Sequence, residues 1–453
     1  PDMFDNLWYN RPPLPGKPVF ELGVSVTGAS RLDKRRMINR MLENVQADIT
    51  VVSALDDLAW TYNLRGSDIP YNPLFFGFAV TGKEENILFV NKTALPENLV
   101  SNLRKEGIQL SDYESFYSYL SSIRNKALYI DPATTNTRIW ETLHQSCRLK
   151  EGTSIPGQLK SVKNETELQG FRDTMKQDGA AMVCFLYWLF SSLGKTRITE
   201  YTIGRKLVEF RSARPGFIGE SFAPAIGFND HGAMVHLVVT EANAYEIRAG
   251  GILLIDSGGH YLTGTTDITR TIALGPPTRQ QKTDFTHALR GMINLSCAIF
   301  PAGTKGIHLD ILARLPLWKE GVNYGHGTGH GVGHFLNVHE GPATIRQEYN
   351  PCEIIPGMVL SNEPGIYRDE LYGVRTENVM VCVEKQRTEY GRFLGFETLT
   401  LCPVDTSLVN PGLMTEAELL WLNDYHLHVR KELEPLLDDE QADFLHRLTK
   451  PVE

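Results

Sequence analysis

Carboxylates interrupt the most apolar strand patterns in this chain, and that combination constrains the fold more than any other feature. The stretch GILLIDSGGHYLTGTTDITRTIALG, Gly251 to Gly275, ends one apolar strand at Asp256 and places Asp267 on the next strand across a Gly-rich turn, so two carboxylates face one another. Aspartate is poor strand material, and an uncompensated buried carboxylate costs several kcal/mol or must take up a proton. Something positive should therefore lie close by. Taken singly, each Asp also reads as a cap at a strand end. The same event recurs in LSNEPGIYRDELYGVRTENVMVCVE, where Glu363 and Glu377 flank a turn region and Glu377 precedes the strand Val379 to Val383. Four carboxylates now need one explanation. Arg375 shares strand parity with Glu377, so it can point at the same place or serve as a structural counter-ion.

Between the two acidic pairs lies NYGHGTGHGVGHFLNVHEGP, with His326, His330, His334 and His339 set among glycines. Glycines let backbone approach a ligand, and imidazole is the commonest neutral nitrogen ligand near physiological pH. A phosphate loop fails here, because neither GxGxxG nor GxxxxGK[ST] can be placed and the stretch holds no Lys. The helical HExxH of single-zinc proteases is absent too, since His339-Glu340 is followed by Gly-Pro. Four carboxylates and one neutral His balance two divalent cations. Such surroundings favour Mn²⁺, Co²⁺ or Zn²⁺, and a water between two ions about 3.5 Å apart loses its proton near neutral pH. Hydrolysis is the natural chemistry.

The chain that carries this cluster has 453 residues, enough for two domains. Ser30 can cap a helix with Met37, Ile38, Met41, Leu42 and Val45 on one face, and the strand Ile49 to Ser53 follows. A helical Asp56 to Tyr62, a hairpin of Phe75 to Thr81 with Ile87 to Val90, an amphipathic stretch near 96 to 106 and the strand Ala127 to Ile130 complete an α/β pattern. Thr153 to Lys163, with Pro156 and Gly157, reads as the linker. This sets domains at 1–158 and 159–453. Beyond it, helical periodicity runs from Asn164 towards Phe190, a second helix is capped near Thr199, and strands dominate from Ala233 with one long helix, about Thr278 to Phe300. Segregated helices and strands make the class α+β. Thr415 to Leu448 is helical again, with Leu422, Tyr425, Val429 and Leu433 as a packing or dimer face.

Net charge −9 without a Lys/Arg tract argues against a nucleic-acid partner. The longest apolar run, Ala181 to Phe190, is short of the roughly 18 residues a membrane span needs and reads as a buried helix. Six cysteines without CxxC spacing read as buried thiols, and a cytoplasmic location is the default.

These motifs resemble the pita-bread metallopeptidases, which include aminopeptidase P, prolidase and methionine aminopeptidase. The match covers Asn164 to the C-terminus, and the five-ligand order Asp, Asp, His, Glu, Glu falls on Asp256, Asp267, His330, Glu363 and Glu377. The string GHGTGHGVGHFLNVHEGP, LRGSD at 64 to 68 and the helical C-terminal segment look most like the larger, cytosolic-type aminopeptidase P. The resemblance implies a creatinase-N-like α/β domain before a pita-bread catalytic domain, with a further N-terminal domain missing. It implies two divalent ions, most simply Mn, and cleavage of the N-terminal Xaa-Pro bond of peptides by a homodimer. Water held between the ions attacks, with Glu363 as general base. His339 then steadies the oxyanion or shuttles the proton, His236 contacts substrate and His326 lines the proline side. His334 receives no role, and Asn63 and Arg65 either reach towards the site or lie in a solvated loop. A prolidase acting on Xaa-Pro dipeptides and a non-catalytic peptide-binding relative are the alternatives.

Overall fold

The computed structural model describes residues 7–235 and 237–453, and the chain divides into two compact units, up to Leu159 and from Lys160 onward. The first unit is built on a six-stranded mixed sheet. Its strands are β1 (Ile49–Val52), β2 (Gly77–Gly82), β3 (Asn86–Val90), β4 (Gln109–Asp112), β5 (Ala127–Ile130) and β6 (Arg148–Glu151), in the order β4-β3-β2-β1-β5-β6. The β2–β3 hairpin is antiparallel, whereas β5 runs parallel to both β1 and β6, which is the α/β alternation the pattern predicts. Helix α1 (Arg31–Asn44) is held by a capping box between Ser30 and Asp33, and it buries Ile38 and Leu42.

Asn63 and Arg65 correct one expectation. Neither lies in a solvated loop: they are 3% and 2% exposed inside this unit. The Asn63 side chain accepts from Lys34 Nζ at 2.6 Å and donates to the Ala29 carbonyl, and Arg65 donates to the carbonyls of Ala59 and Leu64. The expected linker is also more ordered than its Pro and Gly suggest, because Ile155–Ser161 is a helix. Pro156 sits in its first turn, where a missing N–H is not needed, and Gly157 N–H is received by Ser154 Oγ.

The second unit opens with α2 (Glu165–Ser192), whose capping box pairs Asn164 with Glu167 and whose run Ala180 to Leu186 is buried. Helix α3 (Glu200–Ser212) follows. A three-stranded antiparallel sheet then sets β7 (Ala225–Phe228), β8 (Ile252–Ser257) and β9 (Ile268–Ala273) side by side. Two helices come next, α4 (Arg279–Ser296) and α5 (Gly306–Trp318), where the pattern predicts a single helix ending near Phe300. In α5 the apolar positions are almost continuous and Pro316 lies in the last turn, so its period is masked. The larger sheet has six strands, in the order Phe300–Pro301, β15 (Gly391–Thr398), β14 (Asn378–Thr388), β11 (Val359–Asn362), β10 (Gly329–Gly331) and the strand Glu340–Ile345. The hairpin β12 (Gly365–Arg368) and β13 (Tyr372–Arg375) stands beside it in sequence.

The C-terminal helices Glu416–Leu433 and Asp439–Leu448 pack into the core of the second unit. Leu422, Val429 and Leu433 are fully buried there and Tyr425 nearly so, which makes this a packing face within the unit. Arg270 on β9 ties these parts together. Its guanidinium donates to the carbonyls of Pro403, Glu377 and Cys402, to Asn378 Oδ1 and to Tyr425 Oη, all between 2.6 and 3.0 Å. Of the cysteines, Cys184, Cys382 and Cys402 are buried, but Cys297 is exposed. No described helix is long and apolar enough to cross a membrane.

Candidate metal centre

Antiparallel register brings the acidic residues to one place. Asp256 stands opposite Thr269, and Asp267 immediately precedes β9 instead of lying on it. The short strands Gly259–Tyr261 and Gly264–Thr265 occupy what the pattern predicts as a simple turn. Glu363 follows β11 and Glu377 precedes β14, each anchored by its own N–H: Glu363 to the Thr328 carbonyl at 2.8 Å and Glu377 to the Thr269 carbonyl at 3.1 Å.

A ligand-capable oxygen of Asp267, a ring nitrogen of His330 and an oxygen of Glu377 lie within 4.8 Å of one another. His330 Nδ1 bonds the Gly331 carbonyl at 2.8 Å, which leaves Nε2 directed at Asp267 Oδ2, 3.5 Å away, and Glu363 Oε1, 3.4 Å away. Asp256 Oδ2 accepts from Arg375 Nη2 at 2.6 Å, while its buried Oδ1 has no hydrogen-bond partner in the protein. A buried carboxylate oxygen without a donor is what a cation site requires, so this donor set fits divalent ions. All five groups, with His326, His339 and Arg375, line one cavity of about 540 Å³. His236 lies outside the described residues.

The electrostatics suit a site that holds positive charge. Burial pushes Asp256 up to about 6 against the pull of Arg375, and Asp267 adds to the rise. Burial raises Glu363 to about 7, with Asp267 adding to it and His330 opposing. Glu377 is raised well above the carboxylate range by burial and then by Asp267 and Glu363. Burial works against a charged His330, yet Asp267 and Glu363 outweigh it and hold the ring at about 9. His339 is lowered, by burial and by His330 beside it, whose ring centroid is 4.3 Å away.

Three supporting residues escape the sequence reading. Thr269 donates to Glu377 Oε2 at 2.7 Å and accepts from Arg375 Nε at 3.0 Å. Its spacing two residues beyond Asp267 is a signal that could have found it. Tyr367 Oη accepts from Arg375 Nη1 at 2.7 Å and meets His326 Nε2 at 2.8 Å, whereas His326 Nδ1 bonds the Gly327 carbonyl. Ser361 Oγ donates to Glu363 Oε1. Arg375 is thus both a counter-ion of Asp256 and a lining residue of the cavity. The glycines serve chain packing more than ligand approach. A Cβ on Gly329 would meet the Ser361 carbonyl at 2.1 Å, and one on Gly331 the Glu340 carbonyl at 2.2 Å. Beyond the cavity, Glu340 is buried between Lys160 and Lys163, which fixes the residue next to His339.

Comparison with known proteins agrees with this fold. Residues 10–167 match the creatinase/prolidase N-terminal domain, 169–384 match metallopeptidase family M24, and 392–452 match the C-terminal region of peptidase M24. A probable Xaa-Pro aminopeptidase P of Coprinopsis cinerea is 36% identical over all of this chain and 76% of its own length. Xaa-Pro aminopeptidase 1 of Dictyostelium discoideum is 38% identical over 97% of this chain and 72% of its own. Among solved structures, the X-prolyl aminopeptidase of Caenorhabditis elegans, described as a cytosolic enzyme with a di-nuclear active site, superposes with a TM-score of 0.94. It is 36% identical and covers 99% of this chain and 75% of that one. The prolidase of Pyrococcus horikoshii, at 22% identity and a TM-score of 0.62, shares the fold. With a creatinase-type first unit, a pita-bread second unit and relatives that align over nearly the whole of this chain, the chain belongs to metallopeptidase family M24.

Proposed function

We propose that this chain is a dinuclear metal-dependent Xaa-Pro aminopeptidase, which releases the N-terminal residue from peptides with proline in second position. The observation that carries the reading is the convergence of Asp256, Asp267, His330, Glu363 and Glu377 on one cavity, with His330 Nε2 turned towards the carboxylates. These five are the metal ligands, the ions are two, and Mn²⁺ is the first choice ahead of Zn²⁺ or Co²⁺. When bound, two such ions polarise the scissile carbonyl and bring an attacking water within reach of deprotonation near neutral pH.

The chain's own residues do the rest. Glu363 takes the proton of the attacking water, a task suited to a carboxyl whose burial already favours proton uptake. His339, kept neutral by burial, donates to the oxygen that gains charge and passes the proton onward. Arg375 fixes Asp256 in place, and Tyr367 fixes the ring of His326 on the proline side. His236 is the further substrate contact. Proline offers no amide N–H, so shape must replace that hydrogen bond, and Phe222, Ala223, Val235 and Leu237 provide an apolar wall in the cavity. The domains run 1–158 and 159–453. A homodimer in the cytoplasm, acting on short peptides, completes the reading.

The test is steady-state cleavage by metal-free protein titrated separately with Mn²⁺, Co²⁺ and Zn²⁺. Release of the first residue from an Xaa-Pro-Yaa peptide is expected. Cleavage of Xaa-Pro dipeptides alone would make it a prolidase, and inactivity with every ion would make it a peptide binder.

A further inference from the structure

We infer that Glu200 is a positioning residue: its buried carboxylate clamps both feet of the excursion 229–245 and so holds an apolar wall against the cavity lined by the proposed metal ligands. The excursion leaves the sheet after Phe228, at the end of β7, and returns at Tyr245, upstream of β8. Glu200 is fully buried, yet its carboxylate does not cap its own helix, whose first turn is served by Thr199 and Thr202. Oε1 instead receives the N–H of Phe228 at 2.7 Å, and Oε2 receives the N–H of Tyr245 at 2.7 Å. His231 Nδ1 lies 2.9 Å from Oε2, and its ring stacks on Tyr245 with centroids 3.4 Å apart. The Glu200 N–H returns a bond to the Tyr245 carbonyl at 3.1 Å, and Thr199 pairs with Glu246. A single carboxylate thus gathers the departing strand, the returning segment and the histidine between them.

The first foot is further locked by close backbone packing. A Cβ on Gly227 would meet Gly232 N at 2.4 Å, and one on Gly373 would meet the Gly232 carbonyl at 1.8 Å. The middle of the excursion is held differently. Among the described residues, the hydrogen bonds of 234–244 stay within the excursion: Leu237 N–H to the Met234 carbonyl, Thr240 to Asn243 Oδ1, and Asn243 Nδ2 to the Val238 carbonyl. Val235, Leu237 and Val238 line the cavity, although Val238 is 68% exposed. A wall with firm feet and a lightly tied middle owes its position to the feet, and the strongest tie there is the charge-assisted set on Glu200. Because one carboxylate serves three donors, neutralising it strands at least one N–H in a buried place.

That this wall touches the peptide rests on the aminopeptidase reading, but the clamp itself does not, so two readouts are needed. In Glu200→Gln, KM for an Xaa-Pro-Yaa peptide is expected to rise about tenfold, with kcat and bound-metal content within twofold of the parent. Limited proteolysis within 234–244 is expected to accelerate about tenfold at a temperature where the rest of the chain stays intact. If Glu200→Gln does not fold, Tyr245→Ala, which removes the stack on His231 at a part-exposed position, is expected to move both readouts the same way by about threefold. Unchanged KM with unchanged proteolysis overturns the clamp. So does a joint fall of kcat and metal content, which marks a general structural role. Should the parent protein cleave no peptide, the aminopeptidase reading falls and the proteolysis rates alone decide the clamp.

Discussion

Stripped of divalent ions by a chelator, the catalytic unit should lose stability as pH rises from 5 to 8, whereas the ion-loaded protein should not. In the ion-free fold, Asp256 moves from its ordinary 3.8 to about 6 and Glu363 from 4.5 to about 7. Raised folded values mean that the folded state holds these protons more tightly than the unfolded chain. That stabilisation is complete below about pH 4 and is lost as pH climbs through 6 and then 7. His330, raised from 6.5 to about 9, works in the same direction, since the charge it shares with its carboxylates is lost on the way to pH 9. Each carboxyl's displacement corresponds to about 3 kcal/mol. The side chains are only 17% and 19% exposed, so solvent screens them little, and because they share one cavity the pair is taken at the same scale as either alone. For a unit of this size, about 3 kcal/mol corresponds to roughly 5 °C in Tm. Melting curves at pH 5, 6, 7 and 8, with chelator and with Mn²⁺, measure the effect, and Glu363→Gln should flatten the chelated slope. A chelated Tm that rises with pH, or a constant gap between the two series, would refute the reasoning.

Other perturbations separate the roles of the neighbouring side chains. Thr269→Val removes a donor to Glu377 and an acceptor for Arg375, and urea unfolding should show a loss of about 1–3 kcal/mol, with Thr269→Ser restoring most of it. His339→Gln should leave bound metal unchanged by elemental analysis while kcat falls about 10²-fold or more. Leu422→Ala should cost about 2–5 kcal/mol in denaturant unfolding, equally at low and high protein concentration, because the side chain is buried within its own unit.

The acidic pairs are legible in the sequence because a carboxylate at the edge of an apolar run has few inexpensive explanations, and two such runs share the need for one cation site. Register does the remainder: Asp256 opposite Thr269 places Asp267 one residue short of the strand, a shift no periodicity resolves. Helix α5 escapes because GIHLDILARLPLW is apolar on both faces: Ile311, Leu315 and Trp318 are exposed while Asp310 and Arg314 are buried, so no polar face marks the solvent side. Helix Ile155–Ser161 escapes because Pro156 and Gly157 are turn signals whose meaning reverses in a first helical turn. Asn63 and Arg65 look like loop residues until tertiary partners appear, and Lys34 is one such partner. Tyr367 has no local signature at all, since its value lies in touching Arg375 and His326 across separate elements.

Arg270 has a consequence for how this molecule can be divided. One guanidinium, closed off from water, takes its acceptors from the peptide that bears Glu377 and from the segment 402–425. A chain ended after Thr398 would keep every proposed ligand yet leave that cation facing a void where Cys402, Pro403 and Tyr425 had been. The backbone carrying Glu377 would then hang from a group with nothing to brace against. The last helices are therefore part of the foundation of the proposed metal site, and a shortened version should be expected to bind ions poorly even where every proposed ligand remains.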